Sequence, residues 1–147
     1  LCAKSRDNAR TPMQWDDSMH GGFTAGTPWI AVNPNYTKIN AKAQTADPNS
    51  VFHYYKKLLA LRKENPIIVY GKYEAMLEDS EELFVYTRTM NDEKLLIVCS
   101  FCDCETNFTM PEDFVGAACL ISNTKNSYDS AGLTLKPYEA FVLHCRA

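Results

Sequence analysis

Asp47-Pro48-Asn49-Ser50-Val51-Phe52-His53-Tyr54-Tyr55-Lys56-Lys57-Leu58-Leu59-Ala60-Leu61-Arg62-Lys63-Glu64-Asn65-Pro66 is where the chain changes character. Val51, Phe52, Tyr55, Leu58, Leu59 and Arg62 recur at steps of three and four, as along one face of a helix. Lys56, Lys57 and Lys63 fall mostly on the other side. Asp47 suits an N-cap and Pro48 the first helical position. Basic residues near the far end complement the helix dipole, and Asn65-Pro66 stops the helix. The stretch predicts one helix over 47–65.

Upstream, residues 1–46 are rich in Asn, Asp, Gly, Pro and Thr. Pro12, Gly21, Gly22, Gly26, Pro28 and Pro34 punctuate them so closely that neither a helical nor a strand period survives. Met13, Trp15, Phe23, Trp29, Ile30 and Tyr36 are large apolar anchors, which argues against disorder. The expectation is a long ordered loop lying on another domain. Downstream the period changes to short β-rich runs, predicted near 71–77, 83–89, 94–101, 105–110, 117–122, 132–135 and 139–145. Turns fall at Asp79-Ser80, Asn91-Asp92, Pro111-Glu112-Asp113 and Ser130-Ala131-Gly132. The fold expected is mainly β: a C-terminal antiparallel β-sandwich preceded by the long loop and one helix.

The bulk numbers agree with a globular protein. The 147 residues are 46% hydrophobic and 22% charged, with a net charge of -3. No basic stripe is present, so no nucleic-acid partner is expected. No apolar run approaches the ~20 residues of a membrane span. The first residue is Leu1 rather than Met and no signal-like segment follows, so the chain is expected to be a piece of a longer protein.

Six cysteines occur: Cys2, Cys99, Cys102, Cys104, Cys119 and Cys145. Cys99-x-x-Cys102-x-Cys104 suggests zinc, but no second ligand pair stands at metal spacing. Strand alternation would put Cys102 and Cys104 on one sheet face and Cys99 on the other. Reduced structural thiols are expected, with no metal site. His20, His53 and His144 are scattered and form no ligand set.

Ser5-Arg6-Asp7-Asn8-Ala9-Arg10-Thr11-Pro12-Met13-Gln14-Trp15-Asp16 resembles a block of the oligo-1,6-glucosidase group of family 13 glycoside hydrolases. That group includes α-glucosidases and trehalose-6-phosphate hydrolases. The resemblance continues through Gly22-Phe23-Thr24, Pro28-Trp29-Ile30-Ala31-Val32-Asn33-Pro34-Asn35-Tyr36, the helix from Asp47-Pro48, Val69-Tyr70-Gly71 and Leu135-Lys136-Pro137-Tyr138-Glu139-Ala140. It implies a (β/α)8 barrel followed by a β-sandwich, domain C. Residues 1–66 would then be the C-terminal tail of the barrel, with the loop at 1–46 and the last helix at 47–65. Residues 67–147 would be domain C.

The resemblance also implies the chemistry. Retaining glycosidases use two carboxyl groups about 5–5.5 Å apart. In the family these lie on barrel strands that would precede Leu1, and no catalytic residue is assigned within this chain. Asp16-Asp17 and Glu81-Glu82 are adjacent acidic pairs in loops, with no apolar pocket evident. Arginines matching Arg6 and Arg10 line the pocket for the terminal glucose in the family, so substrate binding is expected of both. A guanidinium presents a planar fork of donors to sugar hydroxyls or a carboxylate. The competing role is to tie the loop to the barrel by ion pairs.

The expected function is a share in an α-glucosidase that hydrolyses α-glucosidic bonds, α-1,6 above all, of short oligosaccharides by a retaining mechanism. The alternatives are a non-catalytic stabilising or carbohydrate-binding module, or a parent enzyme with trehalose-6-phosphate hydrolase or sucrose isomerase activity. The expected partners are an α-glucoside oligosaccharide and the barrel domain of the same protein. No cofactor is expected, and the location expected is cytoplasmic.

Overall fold

A computed structural model describes residues 9–146. The chain divides into two compact units, one running to Lys57 and the other starting at Leu58.

The first unit is irregular but tightly tied. The Gln14 side chain donates to the Asn35 carboxamide at 2.9 Å and also to the Ile39 carbonyl. The Gln14 and Trp15 carbonyls accept the Ala41 and Lys42 amides, each at 2.9 Å. One polar side chain and its backbone thus hold three separate parts of the loop together. The segment expected to lack regular structure contains a short helix, α1 (Ala41–Ala46). Asn40 caps it through the Ala43 amide at 2.8 Å. The signal was present in the Asn40 cap, but six residues are too few for an apolar period to emerge.

The helix predicted over 47–65 begins at Val51, and α2 spans Val51–Glu64. Asp47 does not cap its start. Asp47 is the C-cap residue of α1 instead, and its carboxylate accepts the Asn49 amide at 2.9 Å to make a turn. Ser50 takes the start of α2, its hydroxyl facing the His53 amide at 3.4 Å.

In the second unit a short helix, α3 (Ile67–Tyr70), leads into seven strands. They are β1 (Lys72–Met76), β2 (Leu83–Met90), β3 (Glu93–Ser100), β4 (Thr106–Thr109), β5 (Ala118–Ser122), β6 (Gly132–Leu135) and β7 (Ala140–Arg146). Five form one sheet in the order β1-β2-β3-β7-β5, and β4 pairs with β6 in a second. Every pairing is antiparallel. This is the mainly β fold, with its antiparallel sheets, that the sequence pattern predicted.

Alternation decides which side of each strand enters the core. Register sets Leu96 opposite Leu143 and Val98 opposite Phe141, so these side chains share one face of the large sheet. On the small sheet Phe108 pairs with Leu133, and Leu135 follows two residues on. Both sets are buried in a single cluster with Val85, Met110, Phe114 and Tyr128. Each such burial stabilises by roughly 1.5–3 kcal/mol. On the opposite face of the large sheet Leu95 is buried, as is Ile67 of α3.

Cys102 and Cys104 depart from the sequence reading. They lie beyond the end of β3, in its connection to β4, and they are joined as a disulfide rather than kept as reduced thiols. Strand alternation therefore does not govern their direction. Cys99, Cys119 and Cys145 are free.

Candidate functional site

Of the two arginines expected to bind substrate, Arg6 lies outside the described residues, as do Asp7 and Asn8. Arg10 is described and exposed, at the head of the first unit.

Just beyond Arg10 the loop is built around Asp16. Its carboxylate accepts the Ser18 amide at 2.9 Å and also the Ser18 hydroxyl. These bonds, with a smaller contribution from Lys42, hold the carboxyl below its ordinary value against the cost of desolvation. An anion fixed in this way is a turn-former, not a proton donor. The chain then doubles back through His20, Gly21 and Gly22, all with positive φ. The Gly21 carbonyl accepts the Trp15 amide at 2.7 Å. The positive φ at Gly22 favours glycine, and a side chain there would also meet the Asp16 carboxylate at 2.8 Å and push it from its place. Asp17 pairs loosely with Lys42 at 3.9 Å, both exposed.

Trp15 and Phe23 are about half exposed, and Trp29 is 93% exposed. In α2 no residue is buried, and Val51, Phe52, Tyr55 and Leu59 all face solvent. Trp15, Phe23, Trp29, Val51, Phe52 and Tyr55 thus give the first unit a large apolar surface that it does not itself cover, and Leu59 extends it along α2 into the second.

The second unit holds a polar centre that sequence reasoning missed. Glu139 is fully buried. Its Oε1 accepts the Thr124 hydroxyl at 2.6 Å and the Tyr128 hydroxyl at 2.7 Å. Its Oε2 accepts the Lys136 amide at 2.8 Å and the Asn126 carboxamide at 3.3 Å. Burial alone would raise the carboxyl's pKa, but the four donors together hold it below the ordinary value. Such a carboxylate has no free lone pair aimed at a ligand and acts as an internal tie. The signal that could have found it was the acid at the mouth of the last strand, just before the alternation of Phe141 and Leu143.

Comparison with known proteins places this backbone. The family model for the α-amylase catalytic domain matches residues 1–71. An oligo-1,6-glucosidase of Parageobacillus thermoglucosidasius is 51% identical over 147 residues, covering 97% of this chain and 26% of the relative. The crystal structure of trehalose-6-phosphate hydrolase of Bacillus licheniformis superposes with a TM-score of 0.92 at 48% identity. That match covers 98% of this chain and 27% of the hydrolase. A trehalulose synthase structure matches with a TM-score of 0.88 at 39% identity, over 96% of this chain and 26% of the synthase. The chain therefore spans about a quarter of the length of the relatives it matches. Shared sequence along nearly the whole chain, together with a shared backbone, means that the chain belongs to the α-amylase family of glycoside hydrolases and has the fold of their C-terminal portion.

Proposed function

We propose that this chain serves an exo-acting α-glucosidase that cleaves α-1,6 bonds of short oligosaccharides with retention. The observation that carries the reading is the 51% identity to an oligo-1,6-glucosidase along the length of this chain. The catalytic carboxyl pair belongs to the remainder of the parent enzyme. In this reading residues 1–66 complete the barrel, with α2 as its last helix, and residues 67–147 form domain C. The exposed apolar face of α2 supports that division, because an amphipathic helix is stable where something covers its stripe. The barrel is the partner that fits. The parent acts in the cytoplasm on an α-glucoside oligosaccharide.

Arg6 and Arg10 are this chain's contribution to the glucose pocket. Their guanidinium groups donate to sugar hydroxyls or hold a neighbouring carboxylate in place, so that the terminal glucose is oriented for attack.

The likeness to trehalose-6-phosphate hydrolase in the Bacillus licheniformis structure favours a second reading, a parent acting on a phosphorylated disaccharide. Hydrolysis of a chromogenic α-glucoside by this chain alone, beside the same chain joined to a complete barrel, tests the proposal. Turnover only in the joined protein supports it, and turnover by the 147 residues alone overturns it. Isomaltose against trehalose 6-phosphate then separates the two readings.

A further inference from the structure

Two sulfurs are used neither by the sandwich core nor by the sugar-binding reading. Cys102 and Cys104 sit where the chain crosses from the large sheet to the small one. They are bonded to each other across a sequence separation of 2, with Cα atoms 5.3 Å apart. Cys102 is half-buried, and Asp103 and Cys104 are exposed.

Loop length decides what such a bridge can do. A disulfide restrains the unfolded chain more as it encloses more residues, so a ring closed around one residue restrains it least. It is a weak staple. It does hold each sulfur within bonding reach of the other, at a position solvent enters, which is what thiol–disulfide exchange requires.

The surrounding backbone is anchored independently of the sulfurs. The Ser100 hydroxyl accepts the Cys102 amide at 3.3 Å. The Cys102 carbonyl accepts the Tyr138 amide at 3.0 Å, and the Ser100 amide donates to the Glu139 carbonyl at 2.8 Å. The turn can therefore keep its path while the bridge opens. Partial burial pushes the free thiols of Cys99 and Cys145 up, which lowers their thiolate fraction and their competition for an oxidant, whereas Cys119 is exposed.

We propose that Cys102 and Cys104 form a reversible dithiol–disulfide centre that exchanges with low-molecular-weight disulfides such as oxidised glutathione. One thiolate attacks a sulfur of the small disulfide, forming a mixed disulfide and expelling one thiolate. The second cysteine attacks the protein-side sulfur of that mixed bond and expels the other. Two S–H bonds become one S–S bond. Two electrons and two protons pass to the small disulfide, which leaves as two thiols. A metal is the weaker occupant. The Cys102, Asp103 and Cys104 ligand atoms lie within 4.8 Å of one another, but a closed zinc site needs four ligands.

The test uses the intact protein, reduced, desalted and exposed to oxidised glutathione, then alkylated and mapped by mass spectrometry. The expected product is an internal Cys102–Cys104 bridge with no glutathione retained on either of the two, reopened by dithiothreitol with unchanged circular dichroism. Cys102→Ser is expected to trap glutathione on Cys104. Should that variant fail to fold, Cys104→Ser is expected to trap it on Cys102. Retained glutathione on the wild-type pair, no reaction, or reduction only after unfolding would each overturn the proposal.

Discussion

The Tyr128 hydroxyl donates to the Glu139 carboxylate at 2.7 Å, and both residues are buried. Tyr128 also stacks on Phe141, with ring centroids 4.1 Å apart. A single aromatic side chain thus joins the apolar core to the polar tie. We predict that Glu139→Gln destabilises the chain by about 1.5–3 kcal/mol, the usual cost of disturbing buried hydrogen bonds to a charged group. An amide keeps only one accepting oxygen, so its N–H₂ faces either the Lys136 and Asn126 nitrogens, which cannot accept, or the Thr124 and Tyr128 hydroxyls, which must then turn from donors into acceptors. Tyr128→Phe keeps the stacking and removes one of the four bonds to the carboxylate, so it should cost about 1.5 kcal/mol, the low end of that range. Urea unfolding at neutral pH measures both. A Glu139→Gln loss no larger than that of Tyr128→Phe would mean the carboxylate is not the centre of the network.

Opposite pH responses should follow from the same pair. Glu139 binds its proton more weakly when folded, so its stabilisation is present above the unfolded carboxyl pKa of about 4.3 and is lost as pH falls through the folded value. Tyr128 is pushed up to about 12, by burial first. Its stabilisation is present below the unfolded phenol's pKa of about 10 and is lost as pH rises from there toward about 12. Stability profiles of wild type minus Glu139→Gln and minus Tyr128→Phe isolate the acid and alkaline arms respectively. A flat difference in either range would contradict the corresponding arm.

The sandwich was legible because its strands alternate. β4 and β6 expose every second residue, and β3 carries the continuous run Leu95 to Val98 that a strand buried on both faces requires. The helical content of 41–46 was hidden because α1 is too short to show a period, and its only sign was Asn40. The start of α2 was misplaced because Asp47-Pro48 and Ser50 both fit a helix start, and the choice between them rests on the turn that Asp47 makes with Asn49. Glu139 was invisible as a centre because Thr124, Asn126 and Tyr128 reach it from a connecting segment that pattern reading cannot place. The Cys102–Cys104 contact follows from a turn that ends β3 at Ser100, where alternation had extended the strand.

Gly71 ends α3 with its amide on the Ile67 carbonyl at 2.9 Å. A Cβ there would lie 2.5 Å from that same carbonyl oxygen and 3.3 Å from the Arg88 Cβ. The obstacle is backbone, which cannot rotate away as a side-chain tip can. The Gly71 carbonyl also accepts from the Arg88 guanidinium at 3.0 Å, so any shift disturbs a second bond. We predict that Gly71→Ala costs about 1–3 kcal/mol, in the range for overpacking. Arg88→Met, which keeps the stem and removes the donor, should cost less. Thermal unfolding ranks the two, and the reverse order would contradict the steric account.

In the enzyme joined to its barrel, Arg6→Ala should lower kcat/KM on a chromogenic α-glucoside by roughly 10–100-fold, the equivalent of one or two charge-assisted hydrogen bonds. Arg10→Ala tests the second guanidinium in the same assay. If the arginines orient glucose, the loss falls on kcat/KM while the urea midpoint stays put. If they only anchor the loop, stability and activity fall together, and Arg→Lys rescues both.

The uncovered face of α2 makes its own prediction for the chain without a barrel. Val51 and Tyr55 stand one turn apart and are 78% and 62% exposed. Leu59 continues the same stripe and Phe52 widens it. Apolar patches of this kind drive association in water. The isolated chain should self-associate with rising concentration in light scattering and should bind a hydrophobic dye. Tyr55→Ser with Leu59→Ser should reduce both effects while leaving the sandwich intact by near-ultraviolet circular dichroism. In the joined protein the same double change should act the other way, destabilising by about 2–5 kcal/mol, because there the stripe would be buried against the barrel. Opposite signs in the two proteins are the signature of a covered interface. A neutral effect in the joined protein would mean that α2 is not a barrel helix.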